Sequence, residues 1–90
     1  MLVEKALKIQ NRLGLHARAA ALFVQTANKY SSHVTIEKDG VEVNGKSIMG
    51  IMMLAAAKGS DVFIRATGSD EAEAADTIAK LIADKFHEEA

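Results

Sequence analysis

Cysteine, proline and tryptophan are all absent from this sequence of 90 residues. Without cysteine the chain has no disulfide bonds or thiolate metal sites, which is compatible with a reducing cytoplasm. Aromatic residues make up only 4% of the chain, so a core must be built from Ala, Val, Ile, Leu and Met. No apolar run approaches the roughly 20 residues of a membrane span, and no secretory signal pattern opens the sequence. We expect one cytoplasmic domain over residues 1–90, without membrane insertion.

The net charge is −1 at pH 7, which argues against general nucleic-acid binding. Lys and Arg outnumber Asp and Glu by seven to four over residues 1–46, whereas the balance is four to eight over residues 47–90. This asymmetry is compatible with a chance scatter of solvated charges. It is equally compatible with a mildly basic face that attracts phosphate and acidic partners.

Strand-like and helix-like hydrophobic spacing alternate along the chain. Residues 2–9 alternate apolar and polar side chains, with Lys5 as the exception, and so predict a strand. From Ala17 the spacing becomes helical, and the turn-forming residues 28–32 end that helix. The buried face of this helix is predicted to consist of Ala20, Phe23, Val24 and Ala27.

A hairpin and a further strand follow. Residues 33–38 and 41–43 alternate on either side of Asp39-Gly40, which favours a tight turn with positive φ at both turn positions. Residues 62–66 alternate again and predict a fourth strand.

A helix is predicted between the hairpin and the fourth strand. Ser47 is a preferred N-cap residue, so this helix begins at Ile48, and Lys58-Gly59-Ser60 supplies the usual glycine stop. Gly50 lowers helix propensity by roughly 1 kcal/mol relative to Ala, which indicates a short helix or a close packing contact.

The last predicted element is a helix that starts near Asp70. Asp70 and Glu73 have the spacing of a capping box, with Asp in place of Ser or Thr. Residues 87–90 are expected to form a frayed tail. The buried stripe of this helix is predicted to comprise Ala75, Ile78, Ala79, Ile82 and Phe86.

The predicted fold class is α+β, with the element order β-α-β-β-α-β-α. Alternation in every strand implies that one face of the sheet is buried and the other is solvated. The helices must then cover the same face. The expected architecture is an open-faced β-sandwich with a four-stranded antiparallel sheet and three helices on one face.

His16 is the residue best placed for chemistry. It follows Gly14 and precedes the predicted helix, whose N-terminus carries unpaired N–H groups and partial positive charge. Such an N-terminus suits phosphate and disfavours the imidazolium form, so a neutral His16 can act as a nucleophile, with Arg18 near enough to bind phosphate oxygens. The spacing alone favours a histidine that merely caps the helix. His33 and His87 fit structural or neutral roles, and no metal-ligand spacing is present.

Residues 14–20, with the sequence GLHARAA, resemble the active-site motif of HPr, the histidine-containing phosphocarrier family of the sugar phosphotransferase system. Residues 46–52, with the sequence KSIMGIM, resemble the segment around the regulatory serine of that family. The separation of the two motifs and the order of elements also match over the whole length. The resemblance implies that His16 accepts phosphate on Nδ1 from the phosphoenolpyruvate-dependent enzyme I and passes it to enzyme IIA domains. Arg18 would be the active-site arginine.

The same resemblance assigns further residues. Ser47 would be phosphorylated by an HPr kinase/phosphorylase, and Ile48, Met49 and Met52 would be exposed residues that dock partners. From the residues alone, core filling accounts for about half of the apolar set that these three form with Met53, and adaptable docking for the rest. The resemblance implies a carrier, not an enzyme, with no cofactor and no metal, and a monomer is expected.

One position departs from the family pattern, because Ala19 stands where the family usually has proline. Proline presets φ in a first helical turn, so alanine offers less preorganisation and puts the transfer rate in question. A paralogue in a nitrogen-related or regulatory branch would carry the same motif. A small RNA-binding α+β domain is the alternative of another class, but the few aromatic residues and the negative net charge disfavour it.

Overall fold

A computed structural model of the chain describes residues 2–88, with the elements in the predicted order. The strands are β1 (Leu2–Lys8), β2 (His33–Lys38), β3 (Val41–Asn44) and β4 (Asp61–Thr67). The helices are α1 (Ala17–Ala27), α2 (Ile48–Met53) and α3 (Glu71–Ala83), followed by a short turn at Lys85–His87. No helix in this part of the chain has the length and apolarity required to cross a membrane.

The four strands form one antiparallel sheet in the order β1-β4-β2-β3. Ile64 of β4 pairs with Lys5 of β1 on one side and with Ile36 of β2 on the other. These three residues form one continuous row on the inner face of the sheet. The turn between β2 and β3 has positive φ at both Asp39 and Gly40, as predicted from the sequence. The predicted four-stranded open sheet with three helices is therefore confirmed.

The core lies between the inner face of the sheet and the helices. The predicted faces of α1 and β4 are buried, and Lys5, the exception in β1, directs its ammonium group to Asp76 of α3 at 3.0 Å. The largest fully buried apolar side chains are Phe23, Phe86, Ile9, Ile36, Ile51, Ile64, Ile78, Ile82, Val34 and Val62.

Arg65 joins all four strands on the open face of the sheet. Its guanidinium donates to Glu4 at 2.5 Å, to Glu37 at 2.6 Å and to Glu42 at 3.2 Å. The Thr35 hydroxyl and Arg65 both donate to Glu42, and these bonds lower the pKa of its carboxyl group. Polar contacts therefore link the strands across this solvent-facing side of the sheet.

The predicted end of α2 is wrong. The helix stops at Met53, five residues before Lys58, and Ala55 has φ of +48°. Residues 55–57 leave the helical path, and the Ala56 carbonyl accepts a hydrogen bond from the Leu15 amide at 2.8 Å. A tertiary contact thus overrides the high helix propensity of alanine.

The predicted capping box at α3 is also wrong. Asp70 is the N-cap residue, but its side chain caps no helical N–H group. Its carboxylate accepts instead from the Ser31 amide at 2.9 Å, the Ser32 amide at 3.0 Å and the Ser32 hydroxyl. Glu71 accepts from the Gly68 amide at 3.0 Å, so the acidic residues tie the turn before α3 to the end of β4 and to the loop before β2.

The end of α3 differs from the prediction as well. Phe86 is buried as expected, but the helix ends at Ala83, and the residues from Lys85 to His87 all have positive φ. The expected frayed tail is ordered at His87 and Glu88, because His87 contacts Asp84 at 2.8 Å and Glu88 contacts Asn11 at 3.1 Å. Residues 89–90 of that predicted tail lie outside the described residues.

Asp70 makes the stability of the fold depend on pH. Hydrogen bonds from the Ser32 hydroxyl and the Ser31 and Ser32 amides hold the pKa of its carboxyl group below the ordinary 3.8. A lowered folded-state pKa means that the stabilisation is complete above the unfolded pKa and is lost as pH falls through the folded one. Asp70→Asn should lower the melting temperature at neutral pH and flatten its decline in acid, measured by thermal unfolding from pH 7 to pH 2. Asp61→Asn, at an exposed ion pair with Lys8, should change neither.

Candidate functional site

The loop before α1 is held from both sides. The Ile9 amide donates to the Ser60 carbonyl at 2.9 Å, and the Gly59 amide donates back to the Ile9 carbonyl at 2.7 Å. Further along, the Gly14 amide closes a turn on the Asn11 carbonyl at 3.1 Å. Together with the bond from Leu15 to the loop after α2, these contacts fix where α1 begins.

His16 is the N-cap residue of α1. Its backbone is extended, with φ −75° and ψ −180°, and its carbonyl accepts the first helical bond, from the Ala20 amide at 2.9 Å. Its side chain does not cap the helix, and no acidic residue lies in the first turn of α1. The N–H groups that open α1 are therefore available to an anion beside the histidine.

The imidazole of His16 is half-buried, and its Nδ1 lies 3.1 Å from the Gly14 carbonyl oxygen. A carbonyl oxygen accepts hydrogen bonds and never donates them, so a hydrogen bond between these two atoms forms only when Nδ1 carries a proton. Nε2 makes no hydrogen bond to any residue between 2 and 88. The structure thus favours a side chain anchored to its own loop over one that caps the helix.

Arg18 and Ala19 occupy the second and third positions of α1. Arg18 is exposed and forms no ion pair within the described part of the chain, which leaves its guanidinium accessible to a ligand. Ala19 is fully buried, and its position in the first turn means that its N–H has no partner inside the helix. Proline in place of Ala19 would therefore remove no helical hydrogen bond.

Asn11 and Glu88 adjoin the histidine loop, and the sequence reasoning missed both. The Asn11 amide nitrogen donates to the Gly14 carbonyl at 2.7 Å and to the Glu88 carboxylate at 3.1 Å. Glu88 also accepts from the Leu13 amide at 3.4 Å. The hydrogen bond from Asn11 is the largest cause of the lowered pKa of Glu88, and the amides of Leu13 and Arg12 contribute too.

Ser47 is the N-cap residue of α2, as predicted. Its Oγ accepts from the Gly50 amide at 3.1 Å, and its carbonyl accepts from the Ile51 amide at 3.1 Å. A Cβ on Gly50 would lie 3.3 Å from that Oγ and 3.4 Å from the Val43 Cβ. Both interpretations of this glycine therefore apply, since α2 is short and packs closely at Gly50.

The apolar patch of α2 consists of Ile48, Met49, Met52 and Met53. Their exposed fractions are 42%, 77%, 43% and 79%, so none of the four fills the core. Ile51 and the helix-ending Leu54 supply the buried side instead, which contradicts the expectation that about half of the set is internal. Leu13, in the histidine loop, is 55% exposed and was not predicted to be part of this surface. Because α1 and α2 are in contact, the patch lies on the helix next to α1, whose N-cap residue is His16.

Comparison with known proteins gives one consistent result. The profile of the family described as "PTS HPr component phosphorylation site" matches residues 3–84. The phosphocarrier protein HPr of Neisseria meningitidis is 48% identical over 87 residues, which cover 97% of this chain and 98% of the relative.

Two solved structures extend the comparison. HPr from Thermoanaerobacter tengcongensis superposes with a TM-score of 0.94 at 52% identity, covering 98% of this chain and 99% of that one. Crh, described as a catabolite repression protein of Bacillus subtilis, superposes with a TM-score of 0.76 at 46% identity, covering 92% and 95% of the two chains. That Crh structure is a dimer with a swapped domain.

Proposed function

This chain belongs to the HPr family of phosphocarrier proteins of the phosphotransferase system, and we propose that His16 is its phosphoryl-carrying residue. In this proposal His16 accepts the phosphoryl group from enzyme I and passes it to enzyme IIA domains during sugar uptake in the cytoplasm. The observation that carries the proposal is the position of His16, which is the N-cap residue of α1 and whose own side chain leaves the first N–H groups of that helix uncapped.

The surroundings of His16 suit a group of about two negative charges. The first turn of α1 contains no carboxylate that would repel it, and the exposed Arg18 offers a planar fork of donors. An exposed helix N-terminus contributes only about 0.3–1 kcal/mol to anion binding. Weak stabilisation is appropriate for a carrier, because a tightly held phosphoryl group would not be released to the next protein.

The transfer itself requires no resident cofactor. The lone pair of an imidazole nitrogen, Nδ1 by family resemblance, forms a bond to phosphorus while the bond between phosphorus and the donor protein breaks. The donor retains the electron pair of the broken bond. The reverse exchange, with enzyme IIA as the new nucleophile, regenerates neutral His16. The chain is thus a substrate and a donor for other proteins and has no turnover of its own.

Ser47 is proposed as a regulatory site for an HPr kinase/phosphorylase. Its hydroxyl is half-buried and engaged with the Gly50 amide, yet it lies directly before the exposed Ile48 and Met49. A phosphate on Ser47 would place charge at the edge of the apolar patch and weaken apolar docking. The similarity to Crh, a protein named for catabolite repression, supports a regulatory role. Incubation with the kinase and ATP should label the natural protein and leave Ser47→Ala unlabelled.

The apolar patch is proposed as the docking surface for enzyme I and enzyme IIA. Adaptable methionines on the helix that contacts α1 suit a protein that must bind several partners. We also propose that the isolated protein is a monomer, with the patch free for these partners. The dimer seen for Crh makes sedimentation of the natural chain the appropriate check.

Met49→Asp tests the docking surface. Met49 is 77% exposed, so the change should leave stability nearly untouched while placing a charge where partners bind. The KM for phosphorylation by enzyme I should rise about tenfold, which corresponds to loss of one contact of about 1.4 kcal/mol. Leu2→Asp is the control, at an apolar position that is 54% exposed on the edge strand β1, and it should keep the natural KM. Equal effects from both variants would contradict the assignment.

Intact mass measurement after incubation with phosphoenolpyruvate and enzyme I tests the function. The expected product carries one phosphoryl group that is lost in acid, as a phosphohistidine should be. Addition of an enzyme IIA domain should then return the mass to its starting value. Failure of the natural protein to take up phosphate from an active enzyme I would contradict the proposal.

A further inference from the structure

The sulfur of this chain is concentrated on one helix. The sequence contains four methionines and no cysteine. Met1 begins the chain, and the other three, Met49, Met52 and Met53, all lie in α2 and belong to the apolar patch. An oxidant that reacts with sulfur therefore meets the patch without competition from a thiol of the same chain.

The three methionines of α2 differ in their access to solvent. The exposed fractions are 77% for Met49 and 79% for Met53, but only 43% for Met52. A thioether has no proton to lose before it reacts, so the access of the oxidant to sulfur sets the order of reaction at these sites. We expect Met49 and Met53 to be oxidised before Met52.

The fold does not depend on these side chains. Ile51 and Leu54, exposed by 0% and 6%, supply the buried side of this segment, and none of the three methionines belongs to the buried core. Oxidation of methionine makes an apolar side chain polar and disrupts a core that contains it. Here the added oxygen would remain at the surface, so the chain should stay folded after oxidation.

We propose that Met49 and Met53 are reversible oxidation sites through which a peroxide lowers the affinity of this chain for its partner proteins. A lone pair on Sδ attacks one oxygen of hydrogen peroxide, the O–O bond breaks, and the other oxygen leaves as water. Sulfur is oxidised to the sulfoxide and the peroxide is reduced. A methionine sulfoxide reductase reverses the change, because the sulfoxide oxygen leaves as water while a dithiol of the reductase becomes a disulfide.

The loss of affinity rests on the proposed function, since it requires the apolar patch to be the docking surface. A sulfoxide oxygen binds water, and an apolar partner surface that covers it offers no hydrogen bond in exchange. Oxidation of both Met49 and Met53 should therefore raise the KM for phosphorylation by enzyme I about tenfold.

Treatment of the full chain with hydrogen peroxide tests the inference, with the peroxide removed before enzyme I is added. Peptide mass spectrometry should find the first added oxygen atoms of α2 on Met49 and Met53, and the circular dichroism spectrum should not change. The KM should rise as stated. Reductases for both sulfoxide epimers should then restore the original mass and the original KM.

A variant with leucine at all three positions is the matched control. Met49→Leu, Met52→Leu and Met53→Leu together preserve apolar volume, remove sulfur from α2 and leave Met1 in place. Whatever its KM before treatment, the variant should have the same KM after peroxide. An equal rise in this variant would overturn the inference, as would oxidation of Met52 first, unfolding on oxidation, or failure of the reductases to restore the KM.

The two proposals fail in different ways. The mass and circular dichroism measurements need no phosphoryl donor, so they test the oxidation sites even if enzyme I leaves the untreated protein unlabelled, a result that would contradict the proposed function. An untreated protein that is phosphorylated, with an unchanged KM once Met49 and Met53 are sulfoxides, would overturn the inference and leave the carrier function standing.

Discussion

His16→Ala should abolish phosphorylation by enzyme I completely. No other side chain between residues 2 and 88 combines an accessible nucleophilic nitrogen with an uncapped helix N-terminus. The fold should be retained, because the His16 side chain is half-buried and makes its one hydrogen bond to its own loop. The measurement is the fraction of protein that gains a phosphoryl group, with the melting temperature recorded on the same samples.

The other two histidines are the matched controls. His33 lies exposed at the start of β2, and His87 pairs with Asp84 in the turn after α3, so neither neighbours the α1 N-terminus. His33→Ala and His87→Ala should be phosphorylated to the natural extent. Retention of label in His16→Ala, or its loss in His33→Ala, would place the phosphoryl group elsewhere.

Gly14→Ala should destabilise the protein by about 2–5 kcal/mol. Gly14 has φ of +67°, where a residue with a Cβ is strained by about 1–2 kcal/mol. The added Cβ would also lie 2.5 Å from the Ala56 carbonyl oxygen and 2.9 Å from the Ala57 Cα. These are backbone atoms that cannot turn aside, so overpacking adds about 1–3 kcal/mol. Urea unfolding followed by circular dichroism gives the free energy directly.

Gly40→Ala separates the two causes. Gly40 also has positive φ, at +82°, but a Cβ there would meet nothing within 4 Å. Its substitution should therefore cost only the backbone strain, about 1–2 kcal/mol. Because Gly14 and Leu15 join the histidine loop to the loop after α2, Gly14→Ala should also slow phosphorylation, whereas Gly40→Ala should not. Equal losses of stability in the two variants would contradict the close contact between the loops.

Much of the fold could be predicted because its signals are local. The buried face of α1, the alternation of apolar and polar side chains in β4 and the Asp39-Gly40 turn depend on side chains only a few positions apart. The end of α2 could not be predicted, since an alanine-rich run favours helix until the Leu15 amide requires the Ala56 carbonyl. Asp70 likewise has a local capping pattern, but its carboxylate binds Ser31 and Ser32, which lie 38 or 39 positions earlier.

The candidate site was predictable only in part for the same reason. His16 at a change from loop to helix and Ser47 before an apolar run are both readable from neighbouring residues, and both are N-cap residues. Asn11 and Glu88 are 77 positions apart, and neither belongs to a periodic pattern. A polar residue that becomes fully buried through tertiary contact leaves no spacing signal in one sequence. The exposure of the whole apolar patch also depends on how α2 packs.

The most direct test of the phosphoryl-carrier assignment is the location of the phosphorus atom. The protein, labelled with nitrogen-15 in its histidine rings, is phosphorylated with enzyme I and phosphoenolpyruvate and studied by phosphorus–nitrogen correlated NMR. Phosphorus should couple to Nδ1 of His16 alone, with the spectra of His33 and His87 unchanged. Coupling to either of those histidines, or a phosphorus signal coupled to no ring nitrogen, would contradict the account.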